Sequence, residues 1–483
     1  MNIPYIIYIL GWILNIEGAF MMVPVIAACA FGEGEGWYYG ICAVLCILVG
    51  CLIVRKKPYN TEFYAKEGFT LVALSWIIMG TVGALPIFAS GEIPNFVDAL
   101  FEIVSGFTTT GARVVPNVEL LSNASNLWRC FTHWSGGMGV LVFLLALIPQ
   151  NGGQSLYIMK AESPGPSVGK LVPKLQETAK YLYIIYFAIT FLEFLCLLIA
   201  GMPLFDSVCT AFGTAGTGGF GIKADSMAGY TYSIQVIVTI FMVLFGVNFN
   251  FYFYIIMRKI SDAFKLSEVK WYFIIYFVSS LLIIWNLTAT GTGAGDIATD
   301  AKDAFFQVGT VMTTTGYATT NFDAWHSFSK TLLVVLMFVG ACAGSTGGGM
   351  KVSRIMIYFK AAKRELSQTI HPREVKAIKM DGKAIDKDII KTAHMYLGAY
   401  AFIFFISFLI ISLDGFDVTT NFTAVTATIN NIGPGLGAVG PTGNFADFSI
   451  WSKLVMIFDM LAGRLEVFPM LLLFFPATWR KKG

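Results

Sequence analysis

Charged side chains are scarce in this sequence. They make up 13% of its 483 residues, against 56% hydrophobic. A soluble chain of that length needs far more polar surface, so a polytopic membrane protein is expected. The net charge of +3 is too small to imply nucleic acid as a partner. Enzymatic signatures are missing as well. There is no zincin motif, no nucleophile elbow and no grouping of His and Asp at matching depth. The eight cysteines (Cys29, Cys42, Cys46, Cys51, Cys130, Cys196, Cys209 and Cys342) nearly all fall in or beside apolar segments. They read as small buried hydrophobes rather than metal ligands. No Lys or Arg precedes the first apolar run, and Asn15 and Glu17 interrupt it. A retained transmembrane helix is expected there, not a cleaved signal.

What the chain does have is long apolar runs. A spanning helix needs about 20 mostly apolar residues. Ten segments are candidates: 4–31, 37–54, 68–90, 126–149, 178–201, 231–257, 269–290, 327–361, 390–413 and 449–476. With ten crossings, the basic clusters at Arg55–Lys57, Lys66, Lys160–Lys180, Arg258–Lys270, Lys351–Lys391 and Arg480–Lys482 all fall on one face. They hold 26 of the 33 Lys and Arg. The positive-inside rule makes that face cytoplasmic, with both termini inside.

Four times an apolar segment ends in a small, hydroxyl-rich turn around one glycine. The runs are Thr108-Thr109-Thr110-Gly111, Gly216-Thr217-Gly218-Gly219, Thr313-Thr314-Thr315-Gly316 and Asn430-Asn431-Ile432-Gly433. Thirteen residues before each glycine stand Asp98, Asp206, Asp303 and Thr420. These residue types favour helix N-caps, and we expect them to cap four short helices. The glycines are spaced by 108, 97 and 117 residues. Each unit reads as outer helix, half-length pore helix, turn and inner helix. A half-length helix at membrane depth must be surrounded by protein or water. Four of them around one axis meet that demand, and carbonyls from the turns can replace the water around a cation. Their C-terminal ends favour positive charge at the centre.

At this point the chain resembles the Trk/Ktr/HKT superfamily of cation transporters, and within it the TrkH/TrkG-type membrane subunits. The likeness rests on residues 104–112, Gly218-Gly219-Phe220, Thr313–Tyr317 and Asn430–Gly437, and on Trp134–Gly139, Gly344–Gly349 and His371-Pro372-Arg373. It implies an all-α polytopic fold: two N-terminal helices (1–60) and four repeats (61–160, 161–265, 266–385, 386–483) in pseudo-fourfold arrangement around one pore. It implies K+ as the transported ion, with no organic cofactor in this chain. The implied ion-binding turns are Thr109, Thr110, Gly111; Thr217, Gly218, Gly219; Thr314, Thr315, Gly316; and Asn431, Ile432, Gly433. In this family glycine at all four positions goes with potassium selectivity, and serine at the first with sodium in some plant relatives. The resemblance further implies a homodimer in the bacterial inner membrane. It would sit on a TrkA-like cytosolic subunit that binds NAD or ATP/ADP.

The segment 327–361 would run about 52 Å as one straight helix, against a hydrocarbon core near 30 Å. Its middle, Gly340 to Gly349, is too rich in glycine to hold a helix. Irregular backbone at that depth must line a cavity. Gly344, Ser345, Thr346, Gly347, Gly348 and Gly349 fit the gating loop of the family. A phosphate-binding loop is excluded, because Met350 splits the Gly-Lys pair and Val352 replaces Ser/Thr. Arg464 stands in the last apolar stretch. By resemblance it projects into the pore below the turns, where its charge forms part of the barrier. The alternative is an ion pair with Asp459 or Glu466. Arg113 and Lys223 follow the first two turns and are expected to pair with acids such as Glu119 and Asp225. Glu17 and Glu193 are intramembrane acids: they either pack helices in a dimer or carry the coupling, if the protein is a potassium symporter linked to sodium or protons. His133 and His394 read as structural. The basic stretch Lys360–Lys391 docks the regulatory subunit or faces anionic lipid.

Overall fold

A computed structural model describes residues 1–60, 64–139, 175–373 and 377–479. Part of the fourth candidate span (140–149), the cluster from Lys160 to Lys174, Lys376, and Arg480–Lys482 lie outside the described residues. Helix dominates. Among the described residues the strands are one small hairpin, Lys379–Met380 against Lys383–Ala384, turned at Asp381 and Gly382.

Two N-terminal elements precede the repeats: Ile3–Phe31, interrupted at Met21, and Gly36–Val54. They touch through small residues. A Cβ on Gly11 would lie 2.7 Å from the Ile53 side chain, and one on Gly50 would lie 2.7 Å from the Gly11 carbonyl oxygen. Close backbone approach of this kind is the usual source of helix association in lipid.

Four repeats follow. Their outer helices are Ala65–Gly83 (continued by Leu85–Ala89), Leu175–Ile199, Ser267–Thr290 and Lys387–Ile411. Their pore helices are Phe96–Phe107, Leu204–Ala215, Ile297–Met312 and Val418–Ile429. The inner helices start at Asn123, Tyr232, Ser327 and Ile450. Among the described residues, six helical spans are long and apolar enough to cross a membrane: the two N-terminal elements and the four outer helices. A seventh is added if Tyr232–Phe245 and Phe249–Ile256, bent by 89°, count as one span.

The structure corrects two expectations here. Asp98, Asp206 and Thr420 do not cap their pore helices; each is the third residue of its helix, and Asp303 is the seventh. The caps are Asn95, Pro203, Asp296 and Asp417. Asn95, Asp296 and Asp417 accept first-turn N–H groups, whereas Pro203 provides no side-chain cap. Asp98 and Asp206 sit where a helix N-terminus favours an acid without being its cap. The third pore helix is one turn longer than the others, 16 residues against 12. The inner helices also differ from the continuous spans expected at 231–257 and 449–476, whereas 327–361 is interrupted where its glycines lie. The inner helices end at Gly137, Phe245, Val339 and Arg464, after 15, 14, 13 and 15 residues. That is about 20–22 Å of helix, short of the hydrocarbon thickness. Inner helix 1 ends at Gly137, and the other three break at Gly246–Asn248, at 340–351, and at Glu466 and Val467, both with positive φ.

The largest apolar cluster joins the N-terminal helices to repeats 1 and 4, and a second encloses repeat 3 with Ile432 and Leu436 of repeat 4. A buried ion pair inside repeat 1 also contacts repeat 2. Arg129 of inner helix 1 meets Glu102 of pore helix 1 at 2.6 Å, and both are essentially unexposed. Glu102 also accepts the Val114 N–H at 2.8 Å. Arg129 reaches the Gly221 carbonyl and lies 4.2 Å from the Phe220 ring centre. Removing one partner of such a pair strands a buried charge. Arg129→Met is therefore expected to cost about 3–5 kcal/mol, read as a lower unfolding midpoint in detergent. The double variant Glu102→Gln/Arg129→Met is expected to recover part of that loss.

Candidate ion-conducting axis

Each pore helix ends the same way. The Thr109 N–H donates back to the Gly106 carbonyl and the Thr110 N–H to Ser105, at 3.0 and 2.8 Å. Thr217 and Gly218 repeat this onto Thr214 and Gly213, Thr314 and Thr315 onto Val311 and Thr310, and Asn431 and Ile432 onto Thr428 and Ala427. This nested pair of bonds is the Schellman termination, whose left-handed position glycine usually holds. Here Thr109, Thr217, Thr314 and Asn431 hold it, at φ between 53° and 59°. A side chain with a Cβ is strained there by about 1–2 kcal/mol. The tertiary fold imposes that conformation four times. Two residues on, Gly111, Gly219, Gly316 and Gly433 have positive φ again, from 76° to 94°.

These glycines close a ring. A Cβ on Gly111 would strike the Gly218 carbonyl oxygen, one on Gly219 the Thr315 oxygen, and one on Gly316 the Ile432 oxygen. A Cβ on Gly433 would come within 2.8 Å of the Thr110 oxygen. Each glycine thus abuts the carbonyl that precedes the next repeat's glycine, and the fourth returns to the first. Eight of the twelve turn residues singled out in the sequence, the four glycines and the residue before each, form these contacts. The four glycines line one vestibule together with Arg113 and Lys223. Asn431 ties repeat 4 to repeat 1, its Nδ2 donating to Thr110 Oγ1 at 2.9 Å. His133 supports the ring from inside inner helix 1. It is fully buried, its Nδ1 lies 2.7 Å from the Gly106 carbonyl, and its ring packs on Phe220.

The glycine-rich run lies directly against the turns. Residues 340–351 are non-helical between Ser327–Val339 and Val352–Ile370. The Gly348 N–H donates to Thr314 Oγ1 at 2.6 Å, and the Gly349 N–H to the Asn430 carbonyl at 3.0 Å. A Cβ on Gly347 would sit 2.8 Å from the Thr313 carbonyl. Gly344 accepts from the Phe249 N–H at 3.0 Å, and the Ser345 hydroxyl donates to Cys342. Arg464 joins this group. Its guanidinium donates to Thr346 at 2.8 Å, to Gly136 at 2.7 Å and to Gly137 at 2.6 Å, all carbonyl oxygens. It therefore bridges the loop to the C-terminal end of inner helix 1. The acids weighed as its partners are engaged elsewhere: Glu466 with Arg354 and Asp459 with Ser407.

Other placements differ from expectation. Arg113 donates to the Ala224 carbonyl at 3.2 Å, while Glu119 accepts the Ala224 N–H, so the two meet through the backbone of one residue rather than as an ion pair. Lys223 stands over the Tyr230 ring at 3.9 Å instead of pairing with Asp225. Glu17 and Glu193 are buried but do not line the vestibule. The cysteines are all free, but only Cys46, Cys130, Cys209 and Cys342 are buried, while Cys29 and Cys51 are exposed. Glu102, Arg129, Lys351 and Glu268 were not singled out from the sequence. Their signal was the one used for Arg464: an ionisable residue inside or beside an apolar stretch.

Four helix–turn–helix units closing one ring of glycine–carbonyl approaches inside an apolar helical shell define a membrane protein of the pore-loop type. Comparison agrees. The TrkH family model, described as a cation transport protein, matches residues 40–481. The Trk system potassium uptake protein TrkH of Salmonella typhimurium LT2 is 36% identical over 489 residues, covering 100% of both chains. The Trk system potassium uptake protein TrkG of Escherichia coli K12 is 29% identical over 484 residues, covering 99% of each. The crystal structure of the potassium transporter TrkH from Vibrio parahaemolyticus matches with a TM-score of 0.89 at 32% identity, over 99% of this chain and 100% of that one. This chain belongs to the TrkH family of cation transport proteins. It is a multi-pass membrane transport protein and not an enzyme.

The ring contacts set an order of tolerance. Gly219→Ala meets a carbonyl in direct collision and is expected to cost about 1–3 kcal/mol. Gly433→Ala, with its nearest oxygen at 2.8 Å, is expected to cost less. Unfolding midpoints of the purified variants check this, and equal losses would mean the ring is looser than described.

Proposed function

We propose that this chain is the potassium-selective pore subunit of a bacterial inner-membrane uptake system. The closed ring of four glycine–carbonyl approaches carries this reading. It surrounds one axis with main-chain oxygens that no side chain can displace, the arrangement that replaces a cation's hydration shell. The four pore-helix C-termini add their partial negative charge to the same point. Uptake needs no chemistry in this chain, because the membrane potential supplies about 2.3 kcal/mol per charge per 100 mV. Relatives named as potassium uptake proteins cover the full length of the chain, which supports potassium as the cargo.

The loop 340–351 acts as the gate beneath the ring, and Arg464 latches it. The loop's contacts with Thr314 and Asn430, and its bond from Arg464, support this assignment. A homodimer with one pore per subunit, docked on a cytosolic nucleotide-binding subunit of the TrkA type, completes the system. Both termini are then cytoplasmic. The symporter alternative has one observation in its favour. The Glu17 carboxylate is buried with neither oxygen hydrogen-bonded, against Gly83 of outer helix 1. Proton or sodium movement stoichiometric with potassium in proteoliposomes would establish it.

Two outcomes are expected. Expressed in a potassium-uptake-deficient bacterium, the chain should restore growth on limiting potassium only with a TrkA-like partner. No rescue with the protein present in the membrane would reject the proposal. Gly111→Ser should lower potassium-over-sodium selectivity by about tenfold, equivalent to ~1.4 kcal/mol, as read from reversal potentials. An unchanged ratio would remove Gly111 from the filter.

A further inference from the structure

One side chain outside the ring and the loop binds the backbone on both sides of Gly344–Gly349. Glu268 lies in the first turn of outer helix 3 and is 6% exposed. Its Oε1 accepts the Ala343 N–H at 2.7 Å and the Ser353 N–H at 3.1 Å. Its Oε2 faces Asn248 Nδ2 at 3.4 Å. Ala343 immediately precedes Gly344–Gly349, and Ser353 sits in the first turn of Val352–Ile370. One carboxylate oxygen therefore closes the whole excursion between them. The Ser353 N–H is one of the donors that a helix start leaves without a helical partner, and negative charge is favoured at that end. Asn248 belongs to the break in inner helix 2, whose Phe249 N–H holds Gly344. The same carboxylate thus also fixes the neighbouring wall of the loop.

The next residue faces a different structure. Ser267 donates its N–H to Asp381 Oδ1 at 2.7 Å, and its hydroxyl bonds the same oxygen. The Asp381 N–H returns to Ser267 Oγ at 3.3 Å. Asp381 is at the tip of the exposed hairpin 379–384, in the basic linker between repeats 3 and 4. The hairpin tip and the holder of the loop thus share one helical turn.

We propose that Glu268 is the positioning residue that staples the loop in its closed conformation, and that the Ser267–Asp381 contact lets the linker hairpin act on that staple. This rests on the reading of the loop as the gate. With the staple made, Gly348 and Gly349 stay hydrogen-bonded beneath the ring. A partner that draws the hairpin away from Ser267 disturbs the first turn of outer helix 3. Oε1 withdraws from Ala343 and Ser353 together, and both ends of the loop are released.

Cys342 is a native reporter, fully buried and next to Ala343. Its alkylation by N-ethylmaleimide, read by peptide mass in the reconstituted full chain, measures release of the loop, while rubidium flux measures conduction. Glu268→Ala is expected to alkylate about tenfold faster and to conduct more, as loss of charge-assisted bonds at a local opening would give. Glu268→Gln, whose amide oxygen accepts the same two N–H groups, should stay close to the parent. Asp381→Ala should accelerate alkylation with Glu268 intact. A protected Cys342 in Glu268→Ala overturns the staple. Equal acceleration in Glu268→Ala and Glu268→Gln overturns it too, by pointing to lost folding. A parental rate in Asp381→Ala overturns the hairpin link. Fast alkylation with parental flux supports the staple and overturns the gate reading instead.

Discussion

Four strands of backbone meet on one axis at a separation that leaves no room for a Cβ atom. Gly111, Gly219, Gly316 and Gly433 each press against the carbonyl of the next repeat, and much of the surrounding architecture follows from that closure. Carbonyls crowded this tightly repel one another unless something positive sits among them. The turns also force Thr or Asn into the left-handed region four times, a conformation that such residues keep only when their surroundings over-determine it. Pore helices of 12 to 16 residues supply that restraint, but are too short to face lipid at both ends. They are enclosed by the outer helices and capped from below by the broken inner ones.

The second constraint is the cost of charge at membrane depth. Arg129, Arg464, Lys351 and Glu268 are all at least nine-tenths buried. Each is met by a precise set of partners: Glu102 for Arg129, three main-chain carbonyls for Arg464, the Gly347 carbonyl for Lys351, and two backbone N–H groups for Glu268. The broken inner helices make these arrangements available. A continuous helix satisfies its own carbonyls, whereas an interrupted one exposes them. Gly136 and Gly137 at the end of inner helix 1 are the acceptors that Arg464 uses. Interruption and buried charge are therefore two sides of one arrangement.

Much of this was legible in the sequence. The four turns announce themselves by hydroxyl and glycine content, and the non-helical stretch 340–351 by its glycines. The caps were misplaced, because an acid in the first turn and an acid at the cap look alike at a fixed offset. Asp98 and Asp206 stand three residues inside their helices, and Pro203 supplies no capping side chain at all. The offset from cap to glycine is sixteen residues in three repeats but twenty in the third, whose pore helix has the extra turn. Breaks in the second and fourth inner helices were hidden inside apolar runs. Gly246-Val247-Asn248 and Leu465-Glu466-Val467 carry too little glycine to signal an end. The partners of Arg113 and Lys223 were chosen by nearness in sequence, and a peptide carbonyl and a tyrosine ring took their place.

The ring is closed by a single polypeptide whose four quadrants are unequal. In an assembly of four identical chains, one codon change would alter every quadrant at once, and most such changes would be lethal to the ring. Here a substitution touches one quarter only. Quadrants can therefore diverge independently: the third carries the glycine-rich loop, the fourth the arginine, and the first the buried Glu102–Arg129 pair. Such a chain can explore asymmetric solutions one residue at a time while three intact quadrants keep the axis closed.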